Sequence, residues 1–163
     1  LTLRRVRVWE DVPRSPDPAG GCFDGARPNA KDFTMTILDH KTQPQDKWRD
    51  GVMTEMRVSA LVQSKQLCIF EQFCEPGLGA PMHLHAVEEV LEVMGGTAEI
   101  YLRDKTMVVT ANQSVLVPAG ARHGFKNIGT DTLHVRATLA AAIFEASYDD
   151  RNELSRRYVP ADA

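Results

Sequence analysis

From Val52 onward the chain alternates between short β-prone runs and turn signals. The runs are Val52–Val58, Gln66–Cys74, Glu88–Met94, Thr97–Arg103, Thr106–Thr110, Ser114–Val117, Arg122–Ile128 and Leu133–Phe144. Between them lie Pro76-Gly77, Gly95-Gly96, Arg103-Asp104-Lys105, Asn112-Gln113, Pro118-Ala119-Gly120 and Gly129-Thr130-Asp131. Many short strands at close spacing predict an all-β sandwich or barrel. Before residue 50 the pattern is sparser. Leu3–Trp9 and Phe33–Leu38 read as short strands, and Pro13–Pro28, dense in Pro, Gly, Asp and Ala, reads as an extended loop. Asp149–Tyr158 is charged and reads as a tail or a single helical turn. This divides the chain into an N-terminal arm (1–50), a β-domain (51–147) and a C-terminal tail (148–163).

At 163 residues the chain fits one domain with a core of its own. A net charge of −3 gives no basic footprint for nucleic acid. No apolar run is long enough for a helical membrane span. No signal-peptide pattern precedes the first strand-like segment, and residue 1 is Leu, which leaves a removed leader open. Three cysteines, Cys22, Cys68 and Cys74, make an odd count without Cys-x-x-Cys spacing. They argue against a disulfide framework and point to a reducing cytoplasm, with Cys68 and Cys74 as small core residues.

The histidines change the picture most. Of five, three fall in one pattern: His83-x-His85, three residues, Glu89, and later His123. In an extended backbone residues two apart share a face, so His83 and His85 point the same way. Glu89 shares parity with Leu91 and Val93, whereas Glu88 shares it with Glu92. Turning Glu88 inward would bury two carboxylates, so burial selects Glu89. His123 shares parity with Phe125 and Asn127, while Arg122 and Lys126 take the other face. Three imidazoles and a carboxylate on one inner face suit a divalent transition metal. His40 and His134 read as satisfied core residues.

These residues sit in two longer motifs. Gly77, His83, His85, Glu89 and Gly96 meet every spacing of the first cupin motif, and Pro118, Gly120, His123 and Asn127 meet the second. The chain therefore resembles the cupins over about residues 52–145. Asn112 stands where the second motif has its first glycine, and Asn is the residue besides glycine that best tolerates positive φ. The resemblance implies a double-stranded β-helix, jelly-roll-like, with one metal held by His83, His85, Glu89 and His123. Iron is the first choice, with Mn, Ni, Zn, Co and Cu accepted by the same donors. It also implies a small-molecule substrate or ligand and a homodimer, with the Leu3–Trp9 strand either extending or exchanging across the interface or joining its own barrel, while charge and run length argue against a nucleic-acid or membrane partner.

Fold does not fix the reaction. The leading expectation is a dioxygenase-type enzyme, with Glu89 as the catalytic base and Phe70, Phe73, Phe125 and Met82 as candidates for an apolar wall. An oxygen-independent isomerase, lyase or decarboxylase would use the metal as a Lewis acid, with Tyr101 and Arg103 near the mouth if they turn inward. A non-catalytic ligand-binding barrel is the third class.

Overall fold

The computed structural model describes residues 36–161. Among them, twelve strands form two antiparallel six-stranded sheets. In chain order the strands are β1 (Gln45–Arg49), β2 (Val52–Val58), β3 (Cys68–Cys74), β4 (Gly79–Leu84), β5 (Glu89–Gly95), β6 (Thr97–Leu102), β7 (Lys105–Thr110), β8 (Gln113–Val117), β9 (His123–Asn127), β10 (Leu133–Leu139), β11 (Phe144–Tyr148) and β12 (Leu154–Arg157). One sheet runs β1-β2-β3-β10-β5-β8, the other β12-β11-β4-β9-β6-β7. Strand neighbours in each sheet are mostly distant in sequence, as expected of a double-stranded β-helix.

The alternation in sequence becomes alternation in burial. On β10, Leu133, Val135, Ala137 and Leu139 are buried, while His134, Arg136 and Thr138 are half-buried on the outer face. Inner residues of both sheets, among them Met56, Phe70, Val93, Ile100 and Phe144, form one apolar cluster between the layers. Cys68 and Cys74 lie in it as free thiols, and burial pushes each up to about 12, which leaves them unreactive core residues. Asn112 adopts φ 66°, so the substituted turn is kept without glycine.

Four strands fall outside the expected pattern, among them β4, which no β-prone run anticipated. β1 and β12 lie beyond the bounds 51–147, so the sheets run from Gln45 to Arg157. β12 replaces the expected tail because Leu154–Arg157 finds a free edge on β11. The long run Leu133–Phe144 breaks after Leu139, and β11 crosses to the other sheet. Leu3–Trp9, Pro13–Pro28 and Cys22 lie outside the described residues; of Phe33–Leu38, residues 36–38 are described and join no strand. His40 is exposed in a short 3-10 turn rather than in the core. No helix among the described residues is long and apolar enough to cross a membrane.

Candidate metal centre

His83, His85, Glu89 and His123 converge between the sheets. All four are buried, and one ligand atom from each lies within 4.8 Å of every other. His83 is on β4 and pairs in register with His123 on the adjacent β9. His85 follows β4, its backbone carbonyl accepting from the Gly120 amide at 2.8 Å. Residues 86–88 then carry the chain to the opposite sheet, where Glu89 opens β5. The parity argument holds: Glu89 is 2% exposed, and Glu88 and Val90 face outward. On β9, His123, Phe125 and Asn127 are buried while Arg122 and Lys126 are exposed.

Backbone carbonyls orient each ring. Nδ1 of His83 donates to the Pro81 carbonyl at 2.7 Å, Nδ1 of His123 to the Ala121 carbonyl at 2.9 Å, and Nδ1 of His85 to the Glu145 carbonyl at 2.6 Å. A carbonyl only accepts, so Nδ1 carries the proton and the neutral ring presents a bare Nε2 lone pair inward. The Nε2 atoms of His83 and His85 stand 3.2 Å apart. Two lone pairs at that distance repel, and only a cation or a proton between them relieves it. His123 Nε2 lies 2.7 Å from Glu89 Oε2, yet neither atom has a hydrogen-bond partner in proper alignment. Four converging donors, two of them without a hydrogen-bond partner, could hold a metal ion.

The electrostatics agree. Burial, with the neighbouring imidazoles, pulls His83 down to about 4, so it is a neutral donor near neutrality. Burial likewise lowers His85. Burial opposes charge on both Glu89 and His123, but their mutual proximity outweighs it, lowering Glu89 and raising His123.

His83 and Glu89 also line a cavity walled by aromatic rings: Trp48, Phe70, Phe125, Phe144 and Tyr148. Tyr148 stacks on His83 with centroids 5.2 Å apart, and Trp48 packs on Phe144 at 4.7 Å. Of the expected wall, Phe70 and Phe125 are present. Phe73 instead lies on the outer face of β3, stacked on His134, and Met82, adjacent to His83 in the strand, does not line the cavity. Arg103 is exposed in its turn at φ 56°, and Tyr101 bonds Glu99 on the outer side of β6. Trp48, Arg49 and Tyr148 were not singled out by the motifs. The Asp50-Gly51 pair ahead of Val52 is the signal for Trp48 and Arg49, since it marks a hairpin whose first strand is Gln45–Arg49.

The family model for the cupin domain matches residues 70–140, the stretch that carries all four residues. That stretch is a cupin domain. Among characterised relatives of this cupin, auxin-binding protein 1 of Arabidopsis thaliana is 30% identical over 103 residues, which is 56% of this chain and 52% of that protein. Mannose-1-phosphate guanylyltransferase 2 of Escherichia coli O157:H7 is 42% identical over 59 residues, 36% of this chain and 12% of that enzyme. The cupin thus spans about half of the first relative and a small part of the second. Among solved structures, the oxalate decarboxylase–formate complex of Lactobacillus farciminis aligns over 68% of this chain and 34% of its own, with a TM-score of 0.62 at 16% identity, a likeness of fold.

Proposed function

We propose that this cupin is a metal-dependent enzyme of the dioxygenase type acting on a small organic molecule. His83, His85, Glu89 and His123 would hold one divalent transition metal, iron first among the candidates. The observation that carries the reading is the set of four buried donor atoms within 4.8 Å, three of them imidazole Nε2 atoms freed by carbonyl-anchored Nδ1 protons. When bound, such an ion supplies Lewis acidity and, as iron, one-electron chemistry with dioxygen. The chain's own residues do the rest. The three anchored imidazoles hold fixed geometry, and ionised Glu89 offsets cationic charge and, if it detaches from the ion, can take a proton from substrate. The aromatic rings beside the donors keep bulk water from them.

A second reading is a non-catalytic ligand-binding barrel. What favours it is that the relative matched over the longest stretch is named for binding auxin rather than for a reaction. One experiment separates the readings: elemental analysis of protein purified without chelator or metal-affinity resin, then oxygen uptake and product analysis against phenols and diketones. Stoichiometric metal with oxygen-dependent turnover is the expected result, with His83→Ala losing both. Turnover that persists without oxygen reassigns the centre to isomerase, lyase or decarboxylase chemistry. Tight binding without turnover favours the barrel, and a chain free of metal sinks both metal-based readings.

A further inference from the structure

We propose that β1 and the residue that follows β12 form a latch over the metal centre: Trp48 plugs the passage to the donors, and Tyr158 holds the plug shut by bonding Trp48 and Asp46 at once. The inference rests on the functional reading above only for the ion that passes. The latch itself is a property of the chain.

The centre is closed. The cavity that reaches His83 and Glu89 has room for little more than a water molecule. Most of its lining is buried, and the half-buried exceptions, Trp48, Arg49, Ala80 and Tyr148, mark the side nearest solvent. On that flank of the sandwich β1 is the edge of one sheet and β12 the edge of the other, and no backbone ladder joins the two edges. Side chains join them instead. Trp48 Nε1 donates to Tyr158 Oη at 3.2 Å, and Tyr158 Oη donates to Asp46 Oδ2 at 2.9 Å. The two rings stack with centroids 6.4 Å apart, and the Arg157 guanidinium lies 4.7 Å over the Trp48 ring. Behind this pair Trp48 meets Phe144 at 4.7 Å, and Phe144 meets the His85 ring edge-on at 5.4 Å between centroids. An ion or reagent that enters from this flank has to displace Trp48.

Three features make this flank the one that opens. Neither β1 nor β12 contains a fully buried residue, so each peels from its sheet without breaking the core. The pairing of β1 with β2 slips between Lys47, opposite Met53, and Arg49, opposite Val52, so the ladder is interrupted at Trp48. Tyr158 sits at φ 62°, a left-handed conformation that is costly for a residue with a Cβ and persists only where contacts enforce it. Release of its hydroxyl relaxes that strain, so the closed state stores part of what opening requires.

The test is Tyr158→Phe, which keeps the ring and removes both hydrogen bonds. Zinc uptake by the stripped protein and zinc removal by EDTA are timed in wild type and variant. A latch sets the open fraction, so both rates should rise together by about tenfold while zinc affinity stays the same. Asp46→Ala, which removes one of the bonds at a half-buried position, should give a smaller rise in both rates and stands in if the first variant folds poorly. Amide exchange should quicken on β1 and β12 and stay unchanged on β10, inside its sheet. Unchanged rates, release that quickens without uptake, or faster exchange on β10 as well overturns the latch. If wild type holds no metal, the functional reading fails, and the latch is judged on carbethoxylation of His83 in the metal-free protein. A rise of about tenfold in Tyr158→Phe supports it there, and an equal rate overturns it.

Discussion

Two buried carboxylates on neighbouring regions of one sheet meet opposite fates. Glu71, on the outer face of β3, has a side chain 8% exposed, and Glu89, on the inner face of β5, one 3% exposed. Glu71 is saturated. It accepts from Arg57 at 2.8 Å, from His134 at 2.9 Å, and from Nε and Nη2 of Arg136 at 3.1 and 2.9 Å. Burial would raise it, and these donors overcome that and hold it at about 2. Glu89 has no arginine or lysine on it. Its neighbours are imidazoles whose protons are committed elsewhere, and its Oε2 lacks an aligned donor. A buried carboxylate with a full set of donors is explained by the protein around it. One without them points to a cation the chain itself does not supply.

The contrast makes Glu89→Gln and Glu71→Gln a double dissociation. Glu89→Gln should weaken metal retention by at least about a hundredfold, more than loss of an outer hydrogen-bond partner typically costs. It should leave the stability of the metal-free protein within about 1 kcal/mol, because an under-satisfied buried charge is removed. Metal analysis and urea unfolding of the stripped protein measure both, and retained stoichiometric metal would remove Glu89 from the ligand set. Glu71→Gln should keep its metal and lose about 2 kcal/mol, at the low side for a broken buried network because Arg136 and His134 are partly in solvent.

Acid should expose the same difference. Glu71 is held below its ordinary value, so its contribution is complete above that value and is lost as pH falls from about 4.5 to about 2. Over that window wild type should lose up to about 3 kcal/mol through this group, and Glu71→Gln should show a flatter profile in pH-dependent unfolding. An equal slope in the two proteins would show that Glu71 does not carry the acid sensitivity. The smallest effect belongs to Glu88→Gln. One residue from Glu89 but exposed, it should change neither metal content nor stability beyond about 0.5 kcal/mol.

The inner site was legible in the sequence because period-two alternation and motif spacing bear on the same residues. Burial of Leu91 and Val93 fixes Glu89, and burial of Phe125 and Asn127 fixes His123. The same rule, applied more strictly, excludes Met82, next to His83, and Phe73, which is out of phase with Phe70 and Gln72. What alternation cannot reach is a residue turned by a bulge. Arg49 and Trp48 share the cavity because the register slips between them and β2. The ring partners were hidden for another reason, since they are main-chain carbonyls, of which every residue has one. The Glu71 network was hidden too, because it joins β2, β3 and β10, and their order in the sheet is set by long-range pairing.

The crossing at residues 86–88 sets His85 on one layer of the sandwich and Glu89 on the other, with His83 and His123 beside the former. An ion held by all four would act as a rivet through both layers. Its removal would then be felt as a loosening of one sheet against the other, and amide exchange on β5 and β9 would register occupancy even in the absence of any substrate.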